Sequence, residues 1–170
     1  MNQPAEKDRL SPEPLTASPP RGLMRFVLRL PVVLYRLRLG WVLGERFLML
    51  NHIGRKTGQL RKTVVEVIGI DNGTYYIASG WGYKSNWYQN LLAHPDTTIQ
   101  IGRKKLEVHA ETLPADQGTQ ILMDYREHHP VAASELSRIL GFNLRETPPD
   151  KLRAIVQASL PVVALRSQAR

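Results

Sequence analysis

The pattern of apolar and polar positions divides the chain into a helix-like start, a β-rich middle and a helical end. Residues 47–53 are a short apolar run, 64–70 (Val-Val-Glu-Val-Ile-Gly-Ile) are rich in β-branched side chains, and 74–79 (Thr-Tyr-Tyr-Ile-Ala-Ser) follow across Asp71-Asn72-Gly73. Such runs predict strands, and Asn-Gly between two of them is the strongest local hairpin signal. Residues 98–101 and 105–113 predict a second hairpin over Gly102-Arg103-Lys104. With no helix between paired strands the sheet is expected to be mainly antiparallel, and a small sheet of this kind hides its edges by closing into a barrel. Residues 115–127, 131–140 and 150–158 predict helices broken by Pro130 and Pro148-Pro149, and 162–166 a strand that can close the sheet.

The ends of the pattern set the domain organisation. Residues 1–20 mix charges with five prolines and show no periodicity, which predicts a disordered tail. It does not resemble a secretory signal, because acids precede the apolar part and no small-residue cleavage pattern follows. In 21–44 a helix would place Arg21, Arg25, Arg29 and Arg36 within about 80° of one another beside a broad apolar face. Pro31 kinks that helix or opens a second one. No charge-free run reaches the roughly 20 residues that span a bilayer. The segment suits either the interface of an anionic membrane or a site packed across the domain mouth. Residues 45–170 then form the main domain.

Charge sharpens this division. The net charge is +8, yet residues 21–62 hold ten Lys and Arg against the single acid Glu45, so that stretch carries +9 and the rest sums to −1. A surface charged on one side favours an anionic partner: a phosphorylated small molecule, a membrane or a nucleic acid. No nucleic-acid module is recognisable, so no nucleic-acid partner is expected. The chain has no cysteine, which excludes disulfides and thiolate chemistry and fits a reducing, cytoplasmic location.

Two stretches carry candidate chemistry. In 51–63 the cations Arg55, Lys56, Arg61 and Lys62 crowd one turn with Gly54, Gly58 and the Thr57 hydroxyl. Forked guanidinium donors, backbone N–H groups and a hydroxyl suit phosphate or carboxylate, and a solvated basic hairpin is the alternative. In 79–91 a loop containing Gly80, Trp81 and Gly82 runs into a helix that Ser85 or Asn86 can cap. Its glycines would admit a planar ligand for Trp81 and Trp87 to pack on; alternatively Trp87, Tyr88 and Leu91 are the helix's core face. His128-His129 lack a third ligand at metal spacing, so no metal is expected. Neither a Gly-x-Ser-x-Gly elbow nor a phosphate-loop pattern occurs, leaving hydrolase and NTPase readings without support.

Gly-Arg-Lys-Thr-Gly-Gln-Leu-Arg, a later strand ending Ala-Ser-Gly, then Trp-Tyr-x-Asn-Leu-x-x-x-Pro and a strand ending Gln-Ile-Gly resemble the deazaflavin-dependent nitroreductase family, closely over 47–113. The resemblance implies an α+β fold, a mainly antiparallel split β-barrel of the flavin-reductase type with flanking helices. It also implies coenzyme F420 as hydride carrier, with FMN ranked behind it, and a small-molecule acceptor such as a quinone or nitro compound. Carried over by residue, the cofactor grip is Arg55, Lys56, Thr57 and Arg61. Lys62, Thr63, Val64, Val65 and Glu66 line the ring, and Ile77, Ala78, Ser79, Gly80, Asn86, Trp87, Tyr88, Gln89 and Asn90 complete the cradle. Tyr88 and Tyr125 are the candidate proton donors, and a homodimer is the assembly the resemblance suggests. Val64 stands where the family has proline, and the 79–87 loop is shorter. The expected function is reduction of an organic acceptor, in the cytoplasm or on the inner face of the membrane; the alternative is a ligand-binding or membrane-associated barrel without cofactor.

Overall fold

A computed structural model describes residues 45–168; the expected tail at 1–20 and basic segment at 21–44 lie outside the described residues. Six strands close on themselves: β1 (Phe47–Ile53), β2 (Leu60–Asp71), β3 (Thr74–Ala78), β4 (Asp96–Ile101), β5 (Lys104–Thr112) and β6 (Val162–Ser167). Their order round the barrel is β1-β2-β3-β6-β5-β4, with β1 pairing β4 and every ladder antiparallel. The fold is thus the expected α+β antiparallel barrel.

Period-2 alternation decides which side chains fill it. Leu48 and Leu50 of β1, Val67 of β2, Ile77 of β3, Ile99 of β4, Val108 of β5 and Val163 and Leu165 of β6 point inward as one apolar cluster. Helix α1 (Asn86–Ala93) adds Trp87, Tyr88 and Leu91 to that interior. On the outside, Ile68, Val162 and Ala164 pack under α2 (Ala115–His128), α3 (Pro130–Leu140) and α4 (Pro149–Ser159). Buried on both faces, β6 joins the barrel core to this helical layer.

Local chemistry sets the boundaries. Asn72 and Gly73, at φ 46° and 77°, take the positive angles of the tight turn that the Asn-Gly pair predicts. Strand β4 begins at Asp96, two residues before the expected start at 98, because the ladder with β5 extends to Asp96 and His109, whose side chains pair at 2.7 Å. Pro130 opens α3 at its first turn, where a missing N–H costs no helical hydrogen bond.

Candidate functional site

The β1–β2 connection folds back on Gly54. Its N–H donates to the Gln59 carbonyl at 2.9 Å, and its own carbonyl accepts from Thr57 N at 3.0 Å and Gly58 N at 2.7 Å. Gly58 takes φ +64°, which side chains resist. A β-carbon on Gly54 would lie 2.8 Å from Thr57 Oγ1 and 3.1 Å from Arg61 Nε. The missing side chain of Gly54 is therefore the space that lets Arg61 cross to the same side of the turn as Thr57.

Beneath the turn, α1 presents Asn86 and Asn90, one helical turn apart and so on one face. Asn90 Oδ1 accepts from the Arg55 backbone N–H at 3.0 Å and from Arg55 Nη1 at 3.1 Å; Asn86 Oδ1 accepts from the same Nη1 at 3.3 Å. Asn90 Nδ2 lies 2.8 Å from His52 Nδ1. Because an amide NH2 only donates, His52 Nδ1 must be the bare, accepting nitrogen of a neutral ring. Burial, and then the Arg61 charge across the ladder, hold His52 below the usual imidazole range, consistent with that neutral form.

Gly54, Arg55, Lys56, Thr57, Arg61, Asn86 and Asn90 line a pocket of about 280 Å³. Three cations and no carboxylate face it. Among the described residues Arg55, Lys56, Arg61 and Lys62 make no salt bridge, whereas Arg46, Arg153 and Arg166 each do. Uncompensated like charges repel one another, so the pocket has a positive potential that an anion would relieve.

Midway along β2 the chemistry differs. Glu66 Oε1 accepts from Arg46 Nε at 3.0 Å and from the Tyr125 hydroxyl at 2.8 Å, and Arg46 Nη2 also reaches Glu135 at 2.5 Å. Burial, then the Glu66 charge, push the Tyr125 phenol well above the usual range. This network sits five residues from Arg61 along β2, roughly 16 Å.

The model of the F420H(2)-dependent quinone reductase family matches residues 29–138. The chain belongs to that family. A curated protein of Mycobacterium tuberculosis (strain ATCC 25618 / H37Rv), named provisionally as the F420H(2)-dependent quinone reductase Rv3178, is 34% identical over 76 residues. Those residues are 44% of this chain and 64% of that protein, so the match spans less than two thirds of the relative. Among solved structures, Atu2129 of Agrobacterium tumefaciens str. C58, of unknown function, has TM-score 0.52 and 13% identity over 92% of this chain and 59% of that one. The haem storage protein HutZ from Vibrio cholerae has TM-score 0.50 and 12% identity over 84% of this chain and 92% of that one. At these identities the two structures share the fold alone.

The residues that the resemblance assigns to the cofactor divide sharply in this quinone reductase family member. Arg55, Lys56, Thr57, Arg61, Asn86 and Asn90 come together in the pocket. Lys62, Val64 and Glu66 lie on the outer face of β2, and the alternation turns Thr63 and Val65 toward the interior, opposite Leu50 and Leu48. Ile77 is fully buried inside the barrel, and Ser79, also fully buried, donates its hydroxyl to the Gly82 carbonyl at 2.8 Å. Trp87 and Tyr88 are core, as the alternative reading of this helix has it, while Gln89 donates to the Tyr83 carbonyl at 2.7 Å.

The glycine loop also departs from the expected ligand cradle. A β-carbon on Gly82 would meet the Ser159 carbonyl at 2.8 Å, and one on Gly80 a Leu140 methyl at 3.3 Å. Their close approaches are to α4 and α3. Ala78 packs against the helical layer too. Ser85 caps α1 by position but makes no side-chain cap bond; its N–H donates to Gly82 O at 3.2 Å. Tyr88 shares a hydrogen bond with Thr112 at 3.1 Å, beside a second, more apolar cavity of about 240 Å³ lined also by Leu91, Leu92 and Val163.

Sequence reasoning missed His52. Its signal was a polar residue at the third inward position of a strand whose first two are Leu48 and Leu50. Among the described residues no cluster suits a metal ion, and no helix is long and apolar enough to cross a membrane.

Proposed function

We propose that this chain is an oxidoreductase that grips the anionic arm of reduced coenzyme F420 at the Gly54–Arg61 pocket and reduces an organic acceptor of the quinone class. The observation that carries this reading is the pocket with Arg55, Lys56 and Arg61 around it and no carboxylate to neutralise them. Phosphate and carboxylate groups fit those donors: Arg supplies a planar fork, Lys a mobile point charge. When bound, the coenzyme supplies two electrons as hydride, so the protein needs no nucleophile of its own. The chain's residues bind and orient. Arg55 is held by Asn86 and Asn90, Arg61 passes over Gly54, and Lys56 and Thr57 close the rim.

The choice of a quinone over a nitro compound follows the family's name, and F420 over FMN follows the same source. The arginine-rich, acid-free sequence of 21–44 supports a further part of the proposal, attachment to the inner, anionic face of a membrane, where lipid-soluble quinones partition. A homodimer is the assembly proposed with it.

Titration of the purified chain separately with F420, FMN and haem, followed by fluorescence or absorbance, tests the reading. Saturable binding of F420 in preference to the other two, with quinone-dependent oxidation of the reduced form, is expected. Absence of F420 binding by the folded protein would overturn it in favour of a barrel without cofactor.

A further inference from the structure

His52 has the position and the bonding of a group on which the pocket's geometry depends. It is 5% exposed and lies on the inward face at the end of β1, below the turn. The chain of bonds runs from His52 Nδ1 to Asn90 Nδ2 at 2.8 Å, then from Asn90 Oδ1 to Arg55 N at 3.0 Å and Arg55 Nη1 at 3.1 Å. Each link has one allowed sense. Arg55 offers only donors here, so the amide must turn its oxygen to Arg55, and its NH2 is left for His52.

We infer that His52 is a positioning residue for the anion grip: its bare Nδ1 locks the Asn90 amide, which in turn aims the Arg55 backbone and guanidinium at the ligand. This rests on the reading that the pocket holds the anionic arm of the cofactor. A proton on Nδ1 would set a donor against the amide NH2. To recover that bond the amide must flip, and the flip sets its NH2 against two Arg55 donors. Either way Arg55 loses its anchor. The charge acting on the ring is the Arg61 cation across the ladder, and Arg55 is joined to it only through Asn90. Helix α1 contributes the neutral Asn90, and the neighbouring Asn51, on the other face of β1, is bonded to the neutral Thr97 and Thr98 of β4. Asp96 is turned away, to His109 and Gln168. No carboxylate is therefore placed to favour the imidazolium, and the neutral ring persists through the neutral pH range.

The test uses the full chain, with F420 as probe and fluorescence as readout, on the wild type and on His52→Gln, His52→Phe and Lys56→Ala. Glutamine offers Asn90 an acceptor that does not titrate; phenylalanine offers none. About a tenfold loss of affinity is expected for His52→Phe and less than about threefold for His52→Gln, from loss or retention of one buried hydrogen bond. Wild-type affinity should fall once the pH drops below the ordinary imidazole range, because burial and the Arg61 charge hold the ring's pKa down, and the fall should be smaller in His52→Gln, a comparison that cancels titration of the ligand itself. Nitrogen-15 NMR of the free wild-type protein should show the His52 proton on Nε2. A ring protonated on Nδ1 at neutral pH, or coincident pH profiles for wild type and His52→Gln, would overturn the inference even if His52→Phe does not fold. If Lys56→Ala binds normally the pocket reading fails, and the inference with it; if Lys56→Ala is weakened but both His52 variants are not, the inference alone fails.

Discussion

Lys56 and Arg61 reach one pocket by different routes, Lys56 from the turn itself and Arg61 from β2 opposite His52, over the bare Cα of Gly54. Truncating either should remove a charge-assisted contact of about 1.5–3 kcal/mol, so a roughly tenfold to hundredfold loss of F420 affinity is expected for Lys56→Ala and for Arg61→Ala. An unchanged titration curve in folded Lys56→Ala would remove the turn from the site. The two should differ in one respect: Arg61 is a cation that holds the His52 imidazole down, so Arg61→Ala should move the acid fall of binding to higher pH, and Lys56→Ala should leave it in place. The glycines of the 79–87 loop separate in the same way. Gly82 has φ +66° and would press a β-carbon to 2.8 Å from the Ser159 carbonyl, so Gly82→Ala should cost about 1–3 kcal/mol in denaturant unfolding. Gly80 has only a Leu140 methyl to displace, and Gly80→Ala should stay within about 1 kcal/mol. A larger loss for Gly80 would mean that the loop is held by something other than this contact.

At the scale of elements, α1 faces two ways. Asn86 and Asn90 serve the turn, and Trp87, Tyr88 and Leu91 fill the barrel. Helix α2 instead docks on the outer face of β2, where Tyr125 donates to Glu66. That contact joins helix to barrel far from the cation pocket. Tyr125→Phe is therefore expected to cost about 1 kcal/mol of stability and to leave F420 affinity unchanged; a binding defect would place Tyr125 back at the site. The pH dependence has a definite sign. A phenol whose folded pKa is raised keeps a proton that the unfolded chain releases, so its contribution is complete below the ordinary tyrosine value and is lost as pH rises from about 10 upward. Tyr75 and Tyr83 are shifted in the same direction by burial, and Tyr125 by the most. Unfolding free energy measured across that alkaline range should fall, and fall less steeply in Tyr125→Phe.

At the scale of the whole molecule, charge is polarised along the chain. Residues 21–62 carry +9 and everything else −1, and the described part of that stretch ends in the cation turn. Each basic residue near an anionic surface adds about 1 kcal/mol, so Arg21, Arg25, Arg29 and Arg36 are enough for peripheral attachment if the expected helix forms there and its apolar face is free to insert. Sedimentation with anionic vesicles at low and high ionic strength, for the full chain and for a chain starting at Glu45, checks this. Stronger partitioning of the full chain is expected. Binding abolished by salt would leave charge alone at work, and equal partitioning would remove the membrane role from 21–44 and with it the reason for a lipid-borne acceptor.

What the sequence determined by itself was local or nearly so. β-Branched runs, the Asn72-Gly73 turn and the proline breaks fix strands and helices through short-range sterics, and two hairpins without intervening helices leave an antiparallel barrel as the way to bury one face of each strand. The cation turn was legible for the same reason, since its charges and glycines lie within thirteen consecutive residues, 51–63. Tertiary structure alone decided the rest. Whether Gly80 and Gly82 face a ligand or a helix depends on α3 and α4, more than fifty residues later in the chain. Ile77 and Trp87 read as cradle residues from their motifs and are core because barrel closure puts their side chains inside. His52 reads as one polar residue in a strand; only when α1 packs beneath the turn does Asn90 arrive to join it to Arg55. A hydrogen bond between residues 38 apart leaves no trace in spacing, because its partners are matched by the path of the folded chain.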